Sequence, residues 1–259
     1  MILEALALPE HLQCRIKLRK SAFVEHARHK NATQRLLRDQ VSSLHIIGHL
    51  TPDNSNIAAY KDQQHEYLEL MVLQCELKDT SIRSNQLNAL HRLFHQHIPY
   101  PLVVEISAPQ HEQVQWSLVH KGINQADTES TLLVLNDIHA TDWLNTTTPD
   151  ALTYELKKQL DLNQQNHSHF LALYDSLIQH IVNYLLAVNL NRNTLQETAF
   201  SYQINNRQGE VLKQVLKLKE EIAALENKRD KSQQFNDKVA FNLKIQSLKK
   251  QLKFLNNNF

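Results

Sequence analysis

Two carboxylates and a lysine carry the sharpest chemical pattern in this 259-residue chain. Asp53 follows Pro52 in a run of turn formers, and after 22 intervening residues stands Glu76-Leu77-Lys78. Asp53 and Glu76 are the types that hold a divalent cation such as Mg²⁺, and Lys78 is the type that orients or activates an attacking water. The chemistry this predicts is metal-assisted hydrolysis, with Asp53, Glu76 and Lys78 as catalytic residues and Asp53 and Glu76 as metal ligands. If Glu76 and Lys78 lie on a strand, their spacing of two puts them on one face.

The spelling matches the PD-(D/E)xK pattern of metal-dependent nucleases, and the expected helix after Ser81 and strand at Leu102 suit the order around that core. Against it, Asp53 sits in a turn, and charged residues are commonplace where a strand ends. Histidine offers a second chemistry, with 15 in the chain. His91 and His95 share a helix face at i, i+4, with His97 close by, and His26/His29 and His167/His169 form other near pairs. Zinc needs three or four ligands, and no second Cys/His cluster accompanies any of these pairs. GxSxG, HExxH and CxxC are absent. The three glycines (Gly48, Gly122, Gly209) are too scattered for a phosphate-cradling loop, which excludes a Walker A or dinucleotide fingerprint. No cofactor is expected, with Mg²⁺ implied only by the nuclease reading.

The elements that position these residues follow from periodicity. Ser21–Gln40 reads as a helix and Val41–Leu50 as a strand, followed by a turn over 51–56. Glu66–Lys78 reads as a central strand and Ser81–His97 as a helix capped by Thr80 or Ser81. Leu102–Ile106, Gln113–His120 and Thr131–Leu135 read as further strands. Thr148-Pro149-Asp150 then looks like a helix start, with Thr148 as the cap. Phe170, Tyr174, Leu177, Ile181, Tyr184 and Val188 mark a long packed helix. In the last fifty residues, Val211, Val215, Leu218, Ile222 and Leu225 repeat the heptad steps, as do Phe241, Ile245, Leu248, Leu252 and Leu255. A polar break over 228–237 separates them, so the pattern predicts an antiparallel helical hairpin or a coiled coil with a second subunit. The expected fold class is α+β. A mixed-sheet domain with flanking helices (1–146) precedes a helical connector (147–206) and a basic coiled-coil hairpin (207–259).

Net charge is only +1, but it is segregated. Residues 1–40 hold eight Lys/Arg against four acids, residues 41–206 eight against seventeen, and residues 207–259 twelve against six. Basic ends of this kind meet an acidic partner or fold back on the acidic middle. Lys213, Lys217, Lys244, Lys249, Lys250 and Lys253 are candidate contacts to a DNA backbone. Without interleaved aromatics they are poorly suited to single-strand stacking. Two cysteines outside any CxxC pair fit a reducing compartment, and no secretory signal or membrane span is expected, so the reading is cytoplasmic.

Leu8-Pro9-Glu10, Glu76-Leu77-Lys78, His97-Ile98-Pro99-Tyr100-Pro101 and the Phe235-Asn236-Asp237-Lys238 break together resemble a bacterial family, domain of unknown function 4391. The resemblance implies an α/β domain with a helical tail. It also implies gene neighbours encoding helicases and DNA methyltransferases of restriction-like, phage-defence clusters. It carries no catalytic residue over to this chain. The resulting expectation is a non-catalytic accessory subunit that docks a helicase or methyltransferase and touches DNA. The alternatives are the Mg²⁺-dependent nuclease and a homodimeric coiled-coil scaffold.

Overall fold

The computed structural model describes residues 2–25, 30–78, 82–123, 132–134, 138–195 and 202–258. In chain order the elements are α1 (Ile2–Ala5), β1 (Gln13–Lys17), α2 (Lys20–Glu25), α3 (Lys30–Gln40), β2 (Val41–Leu50) and α4 (Pro52–Ser55). Then come β3 (Tyr60–Lys61), β4 (Glu66–Tyr67), β5 (Leu70–Leu77), α5 (Ser84–His97), β6 (Leu102–Ala108) and β7 (Gln113–Leu118). β8 (Lys121–Ile123), β9 (Leu132–Val134), β10 (His139–Ala140), β11 (Leu144–Asn145) and α6 (Ala151–Gln159) follow. The chain ends in α7 (Phe170–Asn189), α8 (Tyr202–Lys231) and α9 (Phe235–Asn258). The α+β class with a C-terminal helical region is therefore what the chain adopts.

The main sheet runs β1-β2-β5-β6-β7-β10, with β11 also on β7. β1, β2 and β5 are successively antiparallel, and α5 carries the chain over to β6, which lies parallel to β5. Strand β2 spans the residues its sequence predicts, Val41–Leu50. The predicted strand 66–78 is instead two, β4 and β5, and Leu68 between them is exposed. The predicted helix 21–40 is likewise α2 and α3. Helix α5 starts at Ser84, where Arg83 N donates to Gln86 Oε1; the expected caps Thr80 and Ser81 lie outside the described residues. Asp150, not Thr148, caps α6 by accepting from Thr153 N at 2.7 Å, because the helix begins at Ala151 rather than Pro149.

One sheet face packs on α2, α3 and α5 through Leu44, Ile46, Leu73, Cys75, Val104 and Ile106 against Phe23, Leu37, Leu87, Leu90 and Phe94. The other face holds Gln74, Glu76, Glu105, Ser107 and Trp116. It is bridged by Ile2 N of α1, which donates to Glu105 Oε2, and by Tyr174 of α7, whose hydroxyl donates to Leu102 O. Gly48 faces Val72 across the β2–β5 ladder. A Cβ there would lie 2.8 Å from Leu8 Cδ2 and 3.0 Å from Val72 Cγ2. The leucine tip can turn aside but the β-branched valine cannot. Gly48→Ala is therefore expected to lower the unfolding free energy by about 1–3 kcal/mol, measured by urea titration.

Residues Met1–Ile181 form one compact unit and Val182–Phe259 a second. Helix α7 is long and apolar enough to cross a bilayer by length and composition, but 83% of its apolar window is buried within the protein. In the second unit α8 and α9 lie against each other. Val211, Val215, Ile222 and Ile245 are buried along their seam, while Leu218, Leu225, Phe241, Leu248, Leu252 and Leu255 are half-buried. The heptads thus pair within the chain.

Candidate functional site

Glu76 and Lys78 stand where β5 ends. Ser43 Oγ donates to Glu76 Oε2 at 3.3 Å across the ladder, and Gln110 Nε2 donates to the carbonyl of Lys78. Lys78 is tied to the end of α3, its amide donating to Gln40 O and its ammonium to Arg38 O at 2.7 Å. Asp53 is elsewhere. It lies in α4, just beyond the Leu50 end of β2, and Leu50 pairs with Leu70 whereas Val41 pairs with Leu77. Six residues of β5 separate Leu70 from Glu76, so Asp53 and Glu76 sit on the order of 20 Å apart. A shared ion requires both carboxylates at 2–3 Å from one centre, so the predicted Asp53/Glu76 metal pair and the Asp53/Glu76/Lys78 triad are not assembled. The physical reason is strand direction: two antiparallel strands joined after Leu50 put the residues that follow β2 beside the start of β5, not its end. Serine occupies the position opposite Glu76, where a second carboxylate would be needed.

The paired histidines of α5 are buried and hydrogen-bonded to β7. Gln115 Oε1 can only accept, so His91 donates to it through Nε2 (3.2 Å) and must accept at Nδ1 from the Ser117 hydroxyl (2.7 Å). Ser117 in turn accepts from His95 Nε2 at 2.9 Å. This directed chain needs His91 neutral, because its Nδ1 accepts, and burial pushes His91 down to about 4 and His95 well below its ordinary value. Nearby, the buried ammonium of Lys121 donates to Ile98 O and Tyr100 O, and burial lowers it to about 7. Among the described residues no group of three or more His, Cys, Asp or Glu is arranged to hold a metal ion. His167 donates to Leu162 O at 2.6 Å and His169 stacks on Tyr60, while His26 and His29 lie outside the described residues.

A cluster that sequence reasoning missed surrounds the link from β7 to β8. His120 Nδ1 lies 3.3 Å from Asp175 Oδ1 of α7. Burial raises Asp175 to about 7 and lowers His120 to about 4, with His139 and His65 adding to the fall of His120. Its members come from four separate segments, so no spacing in the chain announces them. Acid stability follows with a definite sign. His91, His120 and His180 titrate near 4 when folded against 6.5 for the free side chain. The unfolded chain therefore binds more protons in that window, and stability falls as pH drops from 6.5 towards 4. Asp175, raised from 3.8 to about 7, acts in the opposite direction. His120→Asn is expected to flatten the acid loss of the urea midpoint, and Asp175→Asn to steepen it.

The six candidate lysines of the hairpin, Lys213, Lys217, Lys244, Lys249, Lys250 and Lys253, are all exposed. Lys249 reaches across the hairpin to Glu226 Oε1 at 2.9 Å, and Arg229 donates to Asn242 Oδ1 at 3.2 Å. The end of α7 is tied to both helices: Lys219 donates to Asn189 Oδ1, and Arg192 donates to Asn256 Oδ1. The hairpin is thereby held at both its closed and open ends while its cations stay in water. Such a surface can neutralise phosphates or meet carboxylates.

Neither curated proteins nor solved structures give a match to this chain. A family model does, described as a domain of unknown function and matching residues 6–252, which takes in the sheet, the Glu76–Lys78 strand end and almost all of the hairpin. The chain therefore belongs to the family of domain of unknown function DUF4391.

Proposed function

We propose that this chain is a non-catalytic accessory subunit of a bacterial DNA-modification or phage-defence complex, cytoplasmic, docking a helicase or DNA methyltransferase and contacting DNA through its hairpin. The observation that carries this reading is the basic hairpin itself. Its heptad seam is closed inside the chain, so neither helix depends on a second copy for its core, and six lysines remain exposed. Residues 207–259 carry twelve Lys/Arg against six acids, a field that draws in polyanions. The same seam argues against a homodimeric coiled-coil scaffold. The separation of Asp53 from Glu76 takes a ligand from the nuclease reading.

Duplex-DNA binding by the full chain, followed by fluorescence anisotropy, tests this. With about four phosphates neutralised, affinity is expected to fall roughly 100-fold between 50 and 200 mM salt. Replacing the six lysines by glutamine should abolish that dependence together with the binding. Co-expression with the products of neighbouring genes, a helicase or a methyltransferase on this reading, should yield a complex that survives purification. Salt-independent or absent DNA binding without such a complex overturns the proposal. So does Mg²⁺-dependent cleavage of plasmid DNA that a Glu76→Ala, Lys78→Ala variant loses.

A further inference from the structure

Helix α9 has two apolar faces, and the chain covers only one of them. Phe241, Ile245, Leu248, Leu252 and Leu255 turn towards α8 and are buried or half-buried. Phe235, Val239, Leu243 and Phe254 lie about half a turn round the helix from that seam, at 100° per residue. They are 78%, 41%, 63% and 66% exposed. Large apolar side chains scattered singly on a surface need no explanation. These fall in one stripe on a helix whose opposite face already supplies its packing. The stripe is narrow: Gln246 and Lys250 interrupt it, and Lys253 borders it. A narrow row of this kind has the form of a helix–helix seam, whereas lying in a bilayer surface requires a broad apolar face.

Charge selects the occupant. α9 carries Lys238, Lys244, Lys249, Lys250 and Lys253 against Asp237 alone. A second copy of α9 laid on the stripe would set Lys250 and Lys253 against their own counterparts, which is repulsive. We infer that the outer face of α9, Phe235, Val239, Leu243 and Phe254 with Lys250 and Lys253, is a docking seam for an acidic amphipathic helix of a partner protein. The inference rests on and deepens the accessory-subunit reading: with the heptad seam closed within the chain, it places the partner on the back of the hairpin. Flanking Glu or Asp on the partner helix would face Lys250 and Lys253 while its apolar row covers Leu243 and Phe254.

The test uses the full chain and two labelled 24-residue helical peptides with the same Leu/Ile heptad row, one flanked by Glu and the other by Lys. Saturable anisotropy is expected with the Glu-flanked peptide. Binding should be at least tenfold weaker for the Lys-flanked peptide, and at least tenfold weaker again for Leu243→Gln and Phe254→Gln chains. Both positions are exposed, so an unchanged melting temperature in these variants shows that folding is intact. Four results overturn the inference: no saturable binding, equal binding of the two peptides, unchanged affinity in the variants, or Leu243-dependent self-association in sedimentation velocity. Tighter Leu243-dependent binding to phosphatidylglycerol vesicles than to the peptide overturns it as well. If the peptide fails while DNA binding stays steeply salt-dependent, only this seam falls. If the peptide binds while DNA and the neighbouring gene products do not, the accessory-subunit reading falls instead.

Discussion

Replacing Glu105 by alanine is expected to cost about 3–5 kcal/mol and to leave the first unit partly unfolded at 37 °C. The side chain is fully buried in β6 and accepts from three donors: the Ile2 amide at 2.7 Å, Trp116 Nε1 at 3.1 Å and Gln74 Nε2 at 3.0 Å. Alanine leaves all three without a partner and opens a void beneath α1, and each effect alone ranks among the larger causes of destabilisation. The conservative variant separates them. In Glu105→Gln the amide oxygen can keep Ile2 and Trp116, and the new NH₂ faces Gln74, whose own amide can turn to accept. The loss should then be about 1 kcal/mol. Trp116 fluorescence reports the same unit, so a urea titration followed at that wavelength measures both variants. A loss for alanine no greater than for glutamine would mean that the three donors find water in the variant.

The second large effect is a pH dependence. Lys121 titrates near 7 in the folded protein against 10.5 for a free lysine, because burial disfavours its cation. Between those values the unfolded chain holds the proton and the folded chain does not. Stability therefore rises with pH from about 7 to about 10.5, by an amount on the order of a few kcal/mol from this one group. Lys121→Met keeps the length and apolar body of the side chain but removes the titration. Over that range the urea midpoint of the variant should lack the climb that the parent shows. Its stability near pH 7 should change less, since the buried charge is lost together with the bonds to Ile98 O and Tyr100 O. A parent whose midpoint does not rise above pH 7 would place the ammonium in contact with water.

What could be read from the chain was whatever is local. Strand β2 and the two heptad helices follow from apolar periodicity, because each buries one row of side chains against a neighbouring element. Polar residues at core positions defeated that reasoning. Gln115 and Ser117 alternate with Val114, Trp116 and Leu118 and look like a solvent face, yet they are buried against His91 and His95. Lys121, just past the predicted strand 113–120, is fully buried. The catalytic pattern failed for a different reason. Pro52-Asp53 and Glu76-x-Lys78 have a suggestive spacing, but spacing along a chain does not say at which end of a sheet two residues arrive. That is set by the antiparallel register of β2 and β5. The Asp175–His120 pair joins residues 55 apart in sequence through the docking of α7, which no local signal encodes.

The outer strand of the main sheet has a consequence for how this protein behaves at high concentration. β1 ends the strand order with one side unpaired among the described residues, and it presents Ile16 at 54% exposure. An open strand with an exposed isoleucine is a template for another chain to add onto. β1 is only five residues long, its register shifts between Gln13 and Ile16, and Arg15 and Lys17 flank the isoleucine. A second molecule approaching in register would bring its own Arg15 and Lys17 against these and meet an irregular ladder. The same two cations that read from sequence as part of a basic end thus act as gatekeepers against fibril-like growth. Neutralising both is expected to lower the concentration at which the chain aggregates, measured by light scattering.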